Sequence, residues 1–204
     1  MADLLTTPRK KLKKVPREFI FEEIDGVPLY YQGYKEAIAQ KLSVENIMGS
    51  GELQSILISI ILDYLYGNLD KSSYRIISNE AGLHLKKNTN LSADIAIYDK
   101  NVLKNRKPQN KYFDIPPLVN IEVDTKADLQ EFQAGTDYYH IKTQKLLDFG
   151  VQQVIWFFTT SRKVMIARPG QPWITTNWDQ PVQLLENYTF SLTALLQQEG
   201  IQLD

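Results

Sequence analysis

Apolar residues recur along this chain at two different periods, and the switches between them mark out its elements. From Gly51 to Tyr66 the positions Leu53, Ile56, Leu57, Ile60, Ile61, Tyr64 and Leu65 return every three or four residues, and Gly67 stands where a C-cap glycine belongs. That spacing predicts a helix. Between Ser72 and Tyr98 the period shortens, which predicts two strands, Tyr74 to Ser78 and Ala93 to Tyr98, with a polar, turn-rich Lys86 to Asn90 between them. Residues 99 to 116 are rich in Lys, Asn and Pro and are expected to form a surface loop leading into a strand from Leu118 to Val123. A second helix is predicted over Asp128 to Phe149, ending at Gly150. The dense apolar run Val154 to Thr159 then pairs with Lys163 to Ala167 as a hairpin. Trp173 and Trp178 fall in turn-rich segments, and a short helix near Ser191 to Gln197 follows.

At the N-terminal end, Phe19 to Tyr34 mixes Gly26, Pro28 and Gly33 with Tyr30, Tyr31 and Tyr34, which reads as short extended pieces covering one edge of the body. Before it, Arg9, Lys10, Lys11, Lys13 and Lys14 lie between Pro8 and Pro16 and read as a flexible basic arm. The expected organisation is an arm over 1–16 and one domain over 17–204. Its class is α/β, a mixed sheet flanked by helices with an extended N-terminal elaboration.

Composition narrows the chemistry. The 204 residues include no cysteine, so thiol catalysis, cysteine-ligated zinc and disulfides are excluded together. The longest apolar stretch, Ile56 to Leu62, is far too short to span a bilayer, and Met1 to Thr7 lacks the apolar core of a secretory signal, so a cytoplasmic setting and no membrane partner are expected. A formal net charge of −1 argues against tight nonspecific nucleic-acid binding, which rests on many Lys and Arg contacts to phosphate, while leaving room for a local basic groove. His84 and His140 are the only histidines and have no ligand-spaced companion, so a zinc or serine-hydrolase centre lacks its parts.

The acids carry the candidate chemistry. On Ala93 to Tyr98, strand alternation sends Ile95 and Ile97 to one face and Asp94, Ala96 and Tyr98 to the other. On Leu118 to Val123 it separates Ile121 and Val123 from Asn120, Glu122 and Asp124. If the two strands are neighbours, two or three carboxylates converge. Their mutual repulsion then requires a cation or hydrogen-bond donors, the alternative being capped or solvent-facing strand-end acids. Mg²⁺, or Mn²⁺ in its place, takes oxygen ligands and often only one or two carboxylates.

The run Ser92-Ala93-Asp94, then Glu122-Val123-Asp124-Thr125-Lys126, then a helix bearing Lys142 and ending in Phe149-Gly150-Val151 resembles the PD-(D/E)XK nuclease superfamily. More narrowly, from about Gly49 to Ala167, the chain is similar to the Uma-two family of bacterial endonuclease-like proteins. It departs from them in carrying Ala93-Asp94 where they have Pro-Asp. The resemblance implies a restriction-endonuclease-like fold and hydrolysis of DNA phosphodiesters by metal-activated water, with Asp94 and Glu122 as ligands and Asp124 as an accessory acid. It implies Glu52, early in the first helix, as a further acid near the metal, although the positive end of the helix dipole also favours an acid there. Two arrangements would supply the cation: Lys142 from the following helix, which the resemblance favours, or Asp124-Thr125-Lys126 acting as the D-X-K element. DNA is the implied partner, and a homodimer would suit cleavage of both strands. The competing expectation is a non-catalytic nucleic-acid or protein-binding module that keeps the fold with a decayed site.

Overall fold

The computed structural model describes residues 15–130, 135–185 and 187–203. The basic cluster Arg9 to Lys14 therefore lies outside the described residues. After a 3-10 turn over Arg17–Phe19, the chain forms the hairpin β1 (Ile20–Ile24) and β2 (Val27–Tyr30) and the short helices α1 (Tyr34–Ile38) and α2 (Val44–Met48). There follow α3 (Glu52–Asn68), the long hairpin β3 (Tyr74–Lys86) and β4 (Thr89–Asp99), α4 (Lys100–Leu103), β5 (Val119–Val123) and α5 (Gly135–Phe149). The last third holds β6 (Gln153–Phe158), β7 (Lys163–Ala167), β8 (Ile174–Asn177), β9 (Val182–Leu185), β10 (Tyr188–Phe190) and α6 (Leu192–Gln198).

One sheet runs in the order β2-β1-β4-β5-β6-β7-β8, with β3 paired to β4 off this path. Its pairings are antiparallel except β5 with β6, where α5 makes the crossover that a parallel pair requires. This is the expected mixed sheet flanked by helices. On one face Ile95, Ile97, Ile121, Val123, Ile155 and Phe157 pack against α3, α6 and the β9–β10 hairpin. On the other, Ala96, Tyr98, Val154, Trp156 and Met165 meet Tyr138, Leu146 and Leu147 of α5. Covered on both sides and paired on both edges, β5 is buried along its whole length, so its apolar run is nearly continuous. No helix among the described residues is long and apolar enough to cross a membrane.

The β3–β4 hairpin is much longer than the two short strands expected from the periodicity. Ala81, Leu83, Leu91 and Ala93 alternate inward through a stretch whose polar neighbours read as a turn, and the turn itself is confined to residues 87–88, with Asn88 at φ 61°. Opposite residues 93–95, β3 bulges: Ser78 pairs with Ile95 and Ala81 with Ala93, so Asn79 and Glu80, both with positive φ, stand against the single residue Asp94. The loop expected over 99–116 contains α4 and is pinned to β3 by Phe113, which exchanges backbone hydrogen bonds with Gly82 and His84. The segments holding Trp173 and Trp178 supply β8 and lead to β9, because their strands are short and their outward residues polar.

Two helix ends differ from expectation in opposite ways. Gly150, at φ 115°, ends α5 as expected. Residues 128–130, by contrast, are not helical, and 131–134 lie outside the described residues. Gly67 does not cap α3, since the helix runs through it to Asn68 and Leu69 makes the closing contact to the Leu65 carbonyl. Nothing lies within 4 Å of where a Cβ on Gly67 would stand. The substitution Gly67→Ala is therefore expected to stabilise the protein by about 0.5–1 kcal/mol, read as a raised midpoint in urea with an unchanged slope.

Candidate metal centre

Asp94 and Glu122 are brought to one place by strand register. Ile95 pairs with Ile121 and Ala96 with Asn120, so the same antiparallel register carried one residue further sets Asp94 opposite Glu122 on the α5 face. The ladder ends there, and the Asp94 side chain takes over from it. Its Oδ2 accepts the Val123 N–H at 2.7 Å, while the Val123 carbonyl accepts from Gln54 Nε2 at 2.8 Å. The first turn of α3 is thereby fixed to the end of β5.

Lys142 comes from α5. Its side chain is 1% exposed, and its ammonium lies 3.0 Å from Glu122 Oε1 and 2.7 Å from Glu22 Oε1, with the Trp156 ring 5.3 Å away. Glu22 is not among the residues expected at the centre, since its segment is expected only to cover an edge. It sits where β4 has a free edge. β1 pairs with β4 only at Glu23 and Asn90, β5 begins its pairing at Ile95, and in the gap Ser92 donates both its N–H and its hydroxyl to Glu22 Oε1 at 2.9 Å. The Tyr138 hydroxyl donates to Glu22 Oε2 at 2.8 Å. A signal did exist in the sequence, for Glu22 falls between Ile20 and Ile24 at the inward positions of a strand.

The other expected residues are distributed differently. Asp124 has φ 54°, which ends the strand and breaks the alternation that would have placed it beside Glu122. Both of its oxygens accept from Thr159, one from the backbone N–H at 2.9 Å and the other from the hydroxyl. Lys126 is not on a strand with Asp124; it pairs with Glu80 of the β3 bulge and donates to the Met48 carbonyl. Lys126, Glu80, Asn79, Ser55, Met48 and Asp94 line a cleft of about 400 Å³. Glu122 and Lys142 are buried and are not among its lining residues. Glu52 is exposed in the first turn of α3 and does not line the cleft either. His84 bonds Asn90 through Nδ1, and His140 stacks on Trp173, which accounts for both histidines away from the centre.

Burial dominates the electrostatics. It pushes the Glu122 carboxyl up to about 8, with Asp94 and Glu22 adding to the rise and Lys142 opposing it. Burial also raises Asp94, against the Val123 N–H and the ammoniums of Lys142 and Lys126. For Lys142 burial acts in the other direction and is overcome by Glu122 and Glu22, so the amine stays charged, well above its ordinary value.

Acceptors outnumber donors here. Asn120 donates to Glu122 at 2.7 Å, yet its own Oδ1 is buried with no hydrogen-bond partner, and Asp94 Oδ1 and Glu122 Oε2 accept none among the described residues. Among those residues no group of three or more His, Asp or Glu side chains stands ready as a complete ligand set. Asp94 and Glu122 nevertheless meet the requirement of Mg²⁺ or Mn²⁺, which takes one or two carboxylates and completes its shell with water. The donor set fits a hard divalent cation.

No family model matches this chain, and no curated protein matches it. Among solved structures it is similar to the crystal structure of a protein from Anabaena variabilis ATCC 29413 described as a "putative nuclease belonging to DUF820", the Uma-two family. The two are 17% identical, the match covers 86% of this chain and 89% of that one, and the TM-score is 0.59. At this identity the likeness is one of fold, and it gives the chain a nuclease-like fold.

The raised Glu122 carboxyl has a consequence for stability in metal-free buffer. Its ordinary value is 4.5 and its folded value about 8, so between those limits the unfolded chain gives up the proton while the native state keeps it. Native stability therefore falls as pH rises through this window, by about 1.4 kcal/mol per pH unit from this group, and levels off above it. Glu122→Gln is expected to remove that slope. Urea unfolding in EDTA at several pH values checks it, and equal slopes in the two proteins would refute the assignment.

Proposed function

We propose that the protein is a divalent-metal-dependent nuclease that hydrolyses DNA phosphodiester bonds. The observation that carries this reading is the placement of Asp94 and Glu122 on one face of adjacent strands, with the Lys142 ammonium 3.0 Å from Glu122 and a cleft reaching Asp94. The likeness in fold to a protein described as a nuclease supports it.

Asp94 and Glu122 would hold Mg²⁺ or Mn²⁺, which when bound supplies an activated water and charge stabilisation at a phosphodiester. Asp94 lines the cleft, and the Val123 N–H fixes the orientation of its Oδ2. Lys142 keeps Glu122 oriented and partly neutralised. Lys126 places a second positive charge at the cleft wall, where a phosphate would enter. Both lysines act by position and charge, which have their effect where charge accumulates in the transition state.

A second reading, a non-catalytic binding module on the same fold, is favoured by one observation: the Lys142 amine is already engaged by two carboxylates. Cleavage of supercoiled plasmid in Mg²⁺ or Mn²⁺ separates the two readings. The nuclease reading expects nicking that Asp94→Asn reduces by about 100-fold or more at an unchanged melting temperature. A wild-type protein that binds Mn²⁺ and DNA but leaves the plasmid intact would establish the binding module instead.

A further inference from the structure

The N-terminal hairpin does more than cover an edge, because it delivers Glu22 into the centre. Among the described residues, the charged groups facing that centre are Asp94 from β4, Glu122 from β5, Glu22 from β1 and Lys142 from α5, with Lys126 and Glu80 pairing with each other at the cleft wall. Setting that wall pair aside, three carboxylates meet one ammonium. The ammonium is closer to Glu22, at 2.7 Å, than to Glu122, at 3.0 Å. Glu22 is itself 3% exposed and its oxygens are taken by Lys142, Ser92 and Tyr138, so it is placed to hold the lysine and not to ligate an ion.

Accepting the metal-dependent reading above, we infer that Glu22 is a positioning residue that, with both ligand carboxylates ionised as a bound cation requires, sets the formal charge of the centre at two negative, matching one divalent cation. It does so by engaging the Lys142 ammonium, which would otherwise neutralise Glu122 outright. Without Glu22 one ammonium would face two carboxylates, leaving a single negative charge, and the lysine would compete with the cation for Glu122. The Asn120 Oδ1, buried beside Glu122, is a further acceptor that no donor among the described residues satisfies.

Calorimetric titration with Mn²⁺ at fixed pH tests this without reference to turnover. E22Q is expected to weaken Mn²⁺ binding by about tenfold or more, K142M to strengthen it, and E22Q/K142M, which restores the two negative charges, to return within about threefold of wild type. Thermal melts establish that each variant folds. Should E22Q not melt cooperatively, K142M decides in its place, since tighter binding supports the inference and unchanged binding overturns it. Mn²⁺ binding that is lost in Asp94→Asn but unaltered in E22Q overturns the role of Glu22 alone. A wild-type protein with no Asp94-dependent Mn²⁺ uptake overturns the metal-dependent function, and this inference with it.

Discussion

A buried ammonium needs a countercharge close at hand, and Lys142 has two. Through it α5, β5 and β1 are tied at one point, although their residues lie 20 and 120 positions away in sequence (142 against 122, and 142 against 22). Removing one partner from such a buried group typically destabilises by about 3–5 kcal/mol, because a charge is left uncompensated. The constraint works on architecture as well as energy. It fixes how α5 lies across the sheet, how close the N-terminal hairpin must come, and which carboxylates share the remaining negative charge.

The edge of β4 explains why these acids can be there at all. Between its ladder to β1 and its ladder to β5 the strand has donors with no backbone partner, and a carboxylate, that of Glu22, accepts the Ser92 N–H. On the opposite edge β3 bulges at Asn79 and Glu80, two non-glycine residues held in left-handed conformation, and the bulge opens the sheet beside Asp94. Where β5 ends, the same economy of hydrogen bonding recurs: Asp94 caps the Val123 N–H and Gln54 caps its carbonyl. Interruptions in pairing, filled by side chains, make the site.

The two lysines that compete for the catalytic role in sequence take different environments in the fold. Lys142 is sealed among carboxylates and aromatic rings, where it governs the charge of Glu122. Lys126 stands at the cleft with Asp94, tethered by Glu80. One is buried against Glu22 and Glu122 and the other stands at the cleft wall, a division that follows from burial and not from spacing along the chain.

The sequence alone determined the elements with strong period: α3, β5, α5 and the β6–β7 hairpin were legible because each buries one face or both, and burial writes its period into the residues. Asp94 and Glu122 were legible for the same reason, as acids at defined positions in apolar strands. Tertiary structure alone decided the rest. Asp124 turned to Thr159 because of a left-handed backbone that no alternation foretells, and the β3–β4 hairpin outgrew its pattern because its outward residues are polar. Glu22 joined Lys142 because ladders far apart in sequence left a gap between them. Periodicity reports which face of an element is buried; which charges meet across elements depends on register and packing, and those are settled only when the whole chain has folded.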